Sequence, residues 1–164
     1  MTQDQSIATY MAVARQTIGA CRYASLITID EAGHPSSRAV AAFPPDQNFA
    51  RIVVGTHPEA RKTKHVQSDP RVVLSYIDNE NRGYLTVIGK ARLYDDPTEK
   101  RAYWVDRFSA FWPGGPDTET YLLMAISPER LELRSFGLMI AEEPTRWSPA
   151  TLARLDNGEW RQID

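Results

Sequence analysis

The chain of 164 residues carries 19 basic and 21 acidic side chains, a formal charge of −2 with histidine neutral, which excludes a strongly basic nucleic-acid binder. Apolar residues make up 42% and cysteine occurs once, as Cys21; no intrachain disulfide or cysteine-rich zinc site is possible, so a reducing, cytoplasmic setting fits better than a secreted disulfide scaffold. One soluble domain over 1–164 is expected, because this length supports a single core and the longest apolar run, Tyr121–Ile126, is far short of the roughly 20 residues a membrane helix needs.

Met1–Gln5 carries no basic stretch and no apolar core follows, so a signal peptide is not expected. Ile7, Met11, Ala14 and Ile18 recur at helical spacing and predict a first helix, with Asp4 or Ser6 as its cap. Beyond Cys21 the pattern turns to short β-rich runs. Tyr23–Asp30, Ser36–Phe43 and Arg51–Gly55, separated by turns, read as a three-stranded antiparallel meander.

Thr56-His57-Pro58-Glu59 has the form of a capping box, threonine followed three residues later by glutamate, and predicts a helix to about Ser68 that Asp69-Pro70 stops. Val72–Ile77 and Tyr84–Tyr94 then alternate as two strands with apolar residues on both faces, as in a closed or covered barrel. Asp96-Pro97-Thr98-Glu99 repeats the capping pattern and opens a helix whose Trp104, Val105, Phe108, Phe111 and Trp112 would form one stripe, ended by Pro113-Gly114-Gly115-Pro116. Tyr121–Ile126 and Arg130–Phe136 read as two final strands around Ser127-Pro128-Glu129. After Pro144 the pattern weakens, leaving 137–164 as a C-terminal extension of unassigned structure. About seven strands with short connections and a few helices argue for an α+β fold built on an antiparallel barrel.

Several chemistries lack their motifs. His34, His57 and His65 form no His-x-x-x-His pair and no carboxylate completes a set, so no metal site is expected. No Gly-x-Ser-x-Gly elbow and no Gly-x-Gly-x-x-Gly occurs. Before Gly89-Lys90 the phosphate-loop pattern fails at Tyr84, and Ala91 stands where serine or threonine would hold magnesium.

The informative segment is Thr56 to His65. A strand delivers a helix N-terminus, whose free N–H groups attract anions, and Arg61 and Lys62 sit within its first turns. Cations there are unfavourable unless an anion lies between them and the helix end, which a phosphate would do. Equally, Arg61, Lys62 and Lys64 could form a solvated face with Glu59 paired to Lys62. Arg38, a long cation in an otherwise small and apolar strand, reads either as a water-facing edge residue or as a second anion contact. Trp104, Phe108 and Phe111 read as core, Trp112 as core or pocket rim, and Cys21 as a small buried hydrophobe.

In their order, Ser37-Arg38-Ala39-Val40, Val53-Val54-Gly55-Thr56 leading to Ala60-Arg61-Lys62, Asp69-Pro70-Arg71-Val72 and Val87-Ile88-Gly89-Lys90-Ala91 resemble the pyridoxamine 5′-phosphate oxidase-like FMN-binding split-barrel family. Trp112-Pro113-Gly114-Gly115-Pro116-Asp117 is similar to its bacterial general stress protein branch, and the likeness runs roughly from Tyr10 to Phe136. The resemblance implies a split β-barrel, a homodimer with FMN in clefts between subunits, and a flavin-dependent oxidoreductase of unassigned substrate. It further implies that Arg38, Ala39 and Val40 line the flavin, that Gly55 and Thr56 contact it through backbone and hydroxyl, and that Arg61 and Lys62 hold the 5′-phosphate. Phe43 stands where the oxidase branch keeps a lysine and Tyr84 where it has a glutamine, and Trp147 and Arg154 do not reproduce its C-terminal substrate motif, so pyridoxamine phosphate oxidation is not expected. The alternatives are a non-catalytic flavin-binding stress module, or the same barrel carrying a deazaflavin or haem. No nucleic-acid or membrane partner is implied.

Overall fold

The computed structural model describes residues 3–163. Helix α1 (Gln3–Ala20) precedes strands β1 (Ala24–Ile29), β2 (Pro35–Val40) and β3 (Ile52–Thr56); helix α2 (Arg61–Ser68) leads into β4 (Arg71–Asp78) and β5 (Gly83–Tyr94). Helix α3 (Pro97–Ala102) and a 3₁₀ turn at Asp106–Ala110 precede β6 (Leu122–Ser135), β7 (Ala150–Arg154) and β8 (Trp160–Gln162). All strand pairings are antiparallel, in the order β2-β1-β4-β5-β6-β7-β8, with β3 against the first half of β6. This is the α+β antiparallel barrel that the sequence pattern implied, in the split form that the family resemblance implied.

Alternation sets the inner face. In β4, Val72, Leu74 and Tyr76 are buried while Ser75 and Ile77 point out, and Leu85 and Val87 of β5 join them. Met11, Ala14 and Ile18 of α1 are buried as the helical spacing predicts, and α1 covers one end of this core against β4, β5 and β8. Because the helix starts at Gln3, Asp4 and Ser6 lie inside its first turns and neither is its cap.

The expected three-strand meander is replaced by a closure. β1 and β2 form a hairpin, but β3 crosses to β6 and meets the chain after β2 through a bridge between Ala42 and Val54, with Phe43 N–H donating to the Val53 carbonyl. The two expected final strands are one. Pro128 lies inside β6 opposite Gly89, where the β5–β6 register shifts, so a bulge accommodates the missing N–H. Gly89 is needed there, since a Cβ would stand 2.1 Å from the Ser127 carbonyl oxygen.

The aromatic helix is also shorter than expected. Asp96 caps α3 by accepting from Glu99 N–H, as predicted, but α3 ends at Ala102 and the 3₁₀ turn follows. Phe108 and Trp112 still join Tyr121, Val53 and Leu123 in a second buried cluster, with Trp104 partly buried beside it. Phe111 does not, being 74% exposed. The extension 137–164 supplies β7, which pairs with the second half of β6, and β8, which pairs with β7, raising the strand count to eight.

Candidate functional site

Where β2 and β3 part, a cleft of about 710 Å³ opens, a size typical of small-molecule sites. Ala39, Val40 and Ala41 form one wall and Val54 and Gly55 the opposite one. Lys62 enters from the start of α2, Arg107, Phe108, Phe111 and Trp112 from the 3₁₀ turn, and Arg22 and Tyr23 from the segment before β1. Among the described residues no carboxylate lines it.

Gly55 lets the aromatic wall approach closely. A Cβ there would meet Tyr121 at 3.1 Å, so that ring would have to give by a few tenths of an ångström, while Phe108 and Trp112 at 3.5 Å would be in ordinary contact. That wall is fixed by polar ties at its edges. The Trp112 indole N–H donates to the Thr120 carbonyl at 2.8 Å, the Tyr121 hydroxyl to the Tyr103 carbonyl at 2.7 Å, and the buried Lys100 ammonium to Asp95 and the Thr118 carbonyl. Edge-to-face packing of Trp112 against Phe108 and Tyr121 completes it.

The positive end of the cleft is built on α2. The capping box does not form: Thr56 is the last residue of β3, its hydroxyl is buried against Thr63 at 2.9 Å, and the N-cap falls four residues later than expected, at Ala60. The helix has no side-chain cap, and among the described residues the backbone N–H groups of Arg61 and Lys62 have no partner. Arg61 is therefore the first helical residue and Lys62 the second, closer to the helix end than the pattern suggested.

Three cations meet here without a counter-charge. Lys62 is half-buried, and burial followed by the nearby Arg38 pushes its ammonium below the usual lysine range. Arg38 is shifted in the same direction by burial and then by Arg61. Among the described residues none of the three has a carboxylate within ion-pair distance, and the expected Glu59–Lys62 pair is absent. Like charges left unpaired at a helix N-terminus are destabilising unless an anion joins them.

Arg38 stands on β2, the terminal strand of the sheet, and is half-buried rather than freely water-facing. Its Nη1 donates to the Leu26 carbonyl at 3.1 Å and the Thr28 hydroxyl at 2.7 Å, and its Nη2 to the Ser36 hydroxyl at 2.9 Å. Of the seven residues singled out from sequence, Ala39, Val40, Gly55 and Lys62 line the cleft, while Arg38 and Arg61 stand beside Lys62 and the Thr56 side chain is packed behind the wall. Arg22, Tyr23, Arg107 and Phe111 were missed, because distant segments bring them together and no local spacing marks them.

The histidines do not converge. His34 lies near Asp30, His57 accepts from Glu59 N–H, and His65 is buried against Thr28. Cys21 is half-buried rather than buried, its thiol donating to the Ile77 carbonyl at 3.3 Å.

Comparison with known proteins adds a family. The family model described as pyridoxamine 5′-phosphate oxidase matches residues 11–135. Among solved structures the chain is similar to a protein related to general stress protein 26 of B. subtilis, of the pyridoxinephosphate oxidase family, from Clostridium acetobutylicum (TM-score 0.70, 16% identity, 79% of this chain and 91% of that one). It is similar also to a pyridoxamine 5′-phosphate oxidase-related, FMN binding protein from Nostoc punctiforme PCC 73102 (0.65, 14%, 100% and 98%). A heme binding protein from Mycobacterium smegmatis shares the fold as well (0.61, 17%, 77% and 53%). No curated protein matches the sequence.

Proposed function

The chain belongs to the pyridoxamine 5′-phosphate oxidase family, and from that premise we propose that it binds FMN in the β2–β3–α2 cleft and acts as an FMN-dependent oxidoreductase. The observation that carries this reading is the cluster of Arg38, Arg61 and Lys62, three cations without a carboxylate at the uncapped start of α2. A phosphate monoester is the ligand whose charge and acceptor oxygens fit that donor set. The rest of the cleft, apolar backbone and aromatic rings, fits a planar heterocycle.

In this reading Arg61 and Lys62 hold the 5′-phosphate, aided by the first N–H groups of α2. Arg38 and the backbone of Ala39 and Val40 line the cofactor. Gly55 admits it by keeping the aromatic wall in place, and Thr56 contributes through its backbone while its hydroxyl ties α2 to β3. When bound, FMN supplies the hydride or electron transfer, so the chain needs to bind, orient and shield it rather than carry its own acid–base apparatus.

The working unit is a homodimer, with residues 1–164 forming one flavin-binding domain whose stretch 137–164 extends the sheet. Support comes from the outer sheet face, where Ala39, Ser25, Ser75 and Thr86 stand in register as small residues beside Ile27, Val73 and Ile88. Ile77 on the same face is 65% exposed. This small and apolar centre, bordered in register by Arg130, Glu132 and Arg134 of β6 and by Arg71 and Lys90, suits a second copy of the chain. The unpaired thiol of Cys21 suits the cytoplasm.

FMN binding followed by NAD(P)H oxidation with an added acceptor tests the proposal. Retained flavin with turnover supports an oxidoreductase; retained flavin that no donor reduces leaves a flavin-binding module. A haem-binding barrel is the second reading, favoured by the mycobacterial neighbour, and a Soret band in place of flavin bands would establish it.

A further inference from the structure

Behind the cationic cluster lies a buried polar relay that the site as described does not use. Thr28, on β1, has no solvent exposure, and its Oγ1 lies 2.7 Å from Arg38 Nη1 on β2 and 2.8 Å from His65 Nδ1 on α2. His65 is 8% exposed. Strands β1 and β2 and helix α2 are thus joined through one hydroxyl.

A guanidinium can only donate, so Thr28 Oγ1 accepts from Arg38 and, through its remaining hydrogen-bonding capacity, is tied to His65 Nδ1. Arg38 spends both Nη1 protons, on Leu26 and Thr28, and one Nη2 proton on Ser36. Its Nε–H and its remaining Nη2 proton have no partner among the described residues. The guanidinium is therefore pinned from below with two donors left over, beside Lys62 and Arg61. A buried threonine–histidine pair is a costly way to fill space that apolar side chains would fill better. Its geometry is explained by what it holds.

Resting on the FMN reading above, we infer that Thr28 and His65 are positioning residues that fix the Arg38 guanidinium for a phosphate monoester, so that the chain selects FMN over riboflavin. Riboflavin shares the ring and ribityl chain and lacks the phosphate. The relay acts on that difference alone.

The test is a pair of affinities, FMN and riboflavin, measured by flavin fluorescence quenching on wild type, Thr28→Val, Thr28→Ser and His65→Leu. Wild type is expected to prefer FMN. Thr28→Val, close to isosteric, should weaken FMN about tenfold, the scale of a hydrogen bond to a charged group, with riboflavin affinity unchanged within error. Thr28→Ser should restore the preference, and His65→Leu should lose part of it. Unchanged riboflavin binding is also the control for folding, since a damaged barrel would lose both ligands. Equal weakening of both flavins, or an unchanged ratio in Thr28→Val, overturns the relay while leaving the FMN site standing. A wild type that binds both flavins equally, or neither, overturns the phosphate site itself and the relay with it.

Discussion

The two ends of the barrel are built on opposite rules. Under α1, the inner faces of β1, β4, β5 and β6 close over Leu26, Leu74, Leu85, Val87 and Leu131, all without solvent exposure. At the β2–β3 end, Phe111 and Tyr23 stand exposed and Arg38, Arg61 and Lys62 crowd together without a counter-charge. The first region satisfies local preferences nearly throughout, the buried Tyr76 hydroxyl without a partner among the described residues being an exception; the second violates several, and such violations are tolerated where a ligand resolves them. Stability and binding should therefore separate by region.

The largest expected effect comes from the closed end. Leu74→Ala should cost about 2–5 kcal/mol of folding free energy, the range for a buried leucine truncation, read by denaturant unfolding. Its FMN affinity, corrected for the folded fraction, should not change, and a selective loss of affinity would break the division. At the open end, Lys62→Ala should weaken FMN by about 1–3 kcal/mol, the scale of a charge-assisted hydrogen bond. Its stability without ligand should hold or rise, because one like charge leaves the cluster.

A pH titration sharpens the same contrast. Burial, then Arg38, lowers the Lys62 pKa in the folded chain, so between that lowered value and the ordinary lysine value the unfolded chain binds more protons and stability rises with pH. Phosphate binding favours the charged ammonium, so FMN affinity should fall as pH rises through the Lys62 titration. Lys62→Ala should flatten that slope in an FMN titration across alkaline pH; a slope that persists assigns the effect elsewhere. Smallest of all is the stability effect of Phe111→Ala. Its ring is 74% exposed, so thermal stability should stay within about 0.5 kcal/mol while ligand affinity falls; the reverse pattern would place Phe111 in the core.

Much of the closed end was legible in the sequence because its signals are local. Alternation in β4, the spacing of Met11, Ala14 and Ile18, and the Asp96 cap all act over a few residues. Pro128 misled, since proline breaks most strands, yet the bulge opposite Gly89 lets β6 run through. The Thr56 capping box misled for a different reason: the hydroxyl was taken by Thr63, a contact that forms only when α2 folds back on β3. β7 and β8 are short strands held by pairing, β7 with β6 and β8 with β7, and their sequence carries little alternation.

At the open end the cations of α2 and Arg38 were legible as an anomaly, a charge cluster that local rules disfavour. Arg22, Arg107, Thr28 and His65 were not, because each owes its place to contacts between distant segments. The sequence shows the charge that needs an anion, and the fold shows what holds it in position.

The central claim is that the open end is a flavin phosphate site, and the visible absorption spectrum of the purified protein, before and after incubation with FMN and desalting, tests it most directly. The account predicts flavin bands retained through desalting at a level matching the chain concentration. A colourless protein that releases all added FMN would contradict it, and would leave the cations of α2 without the anion their arrangement calls for.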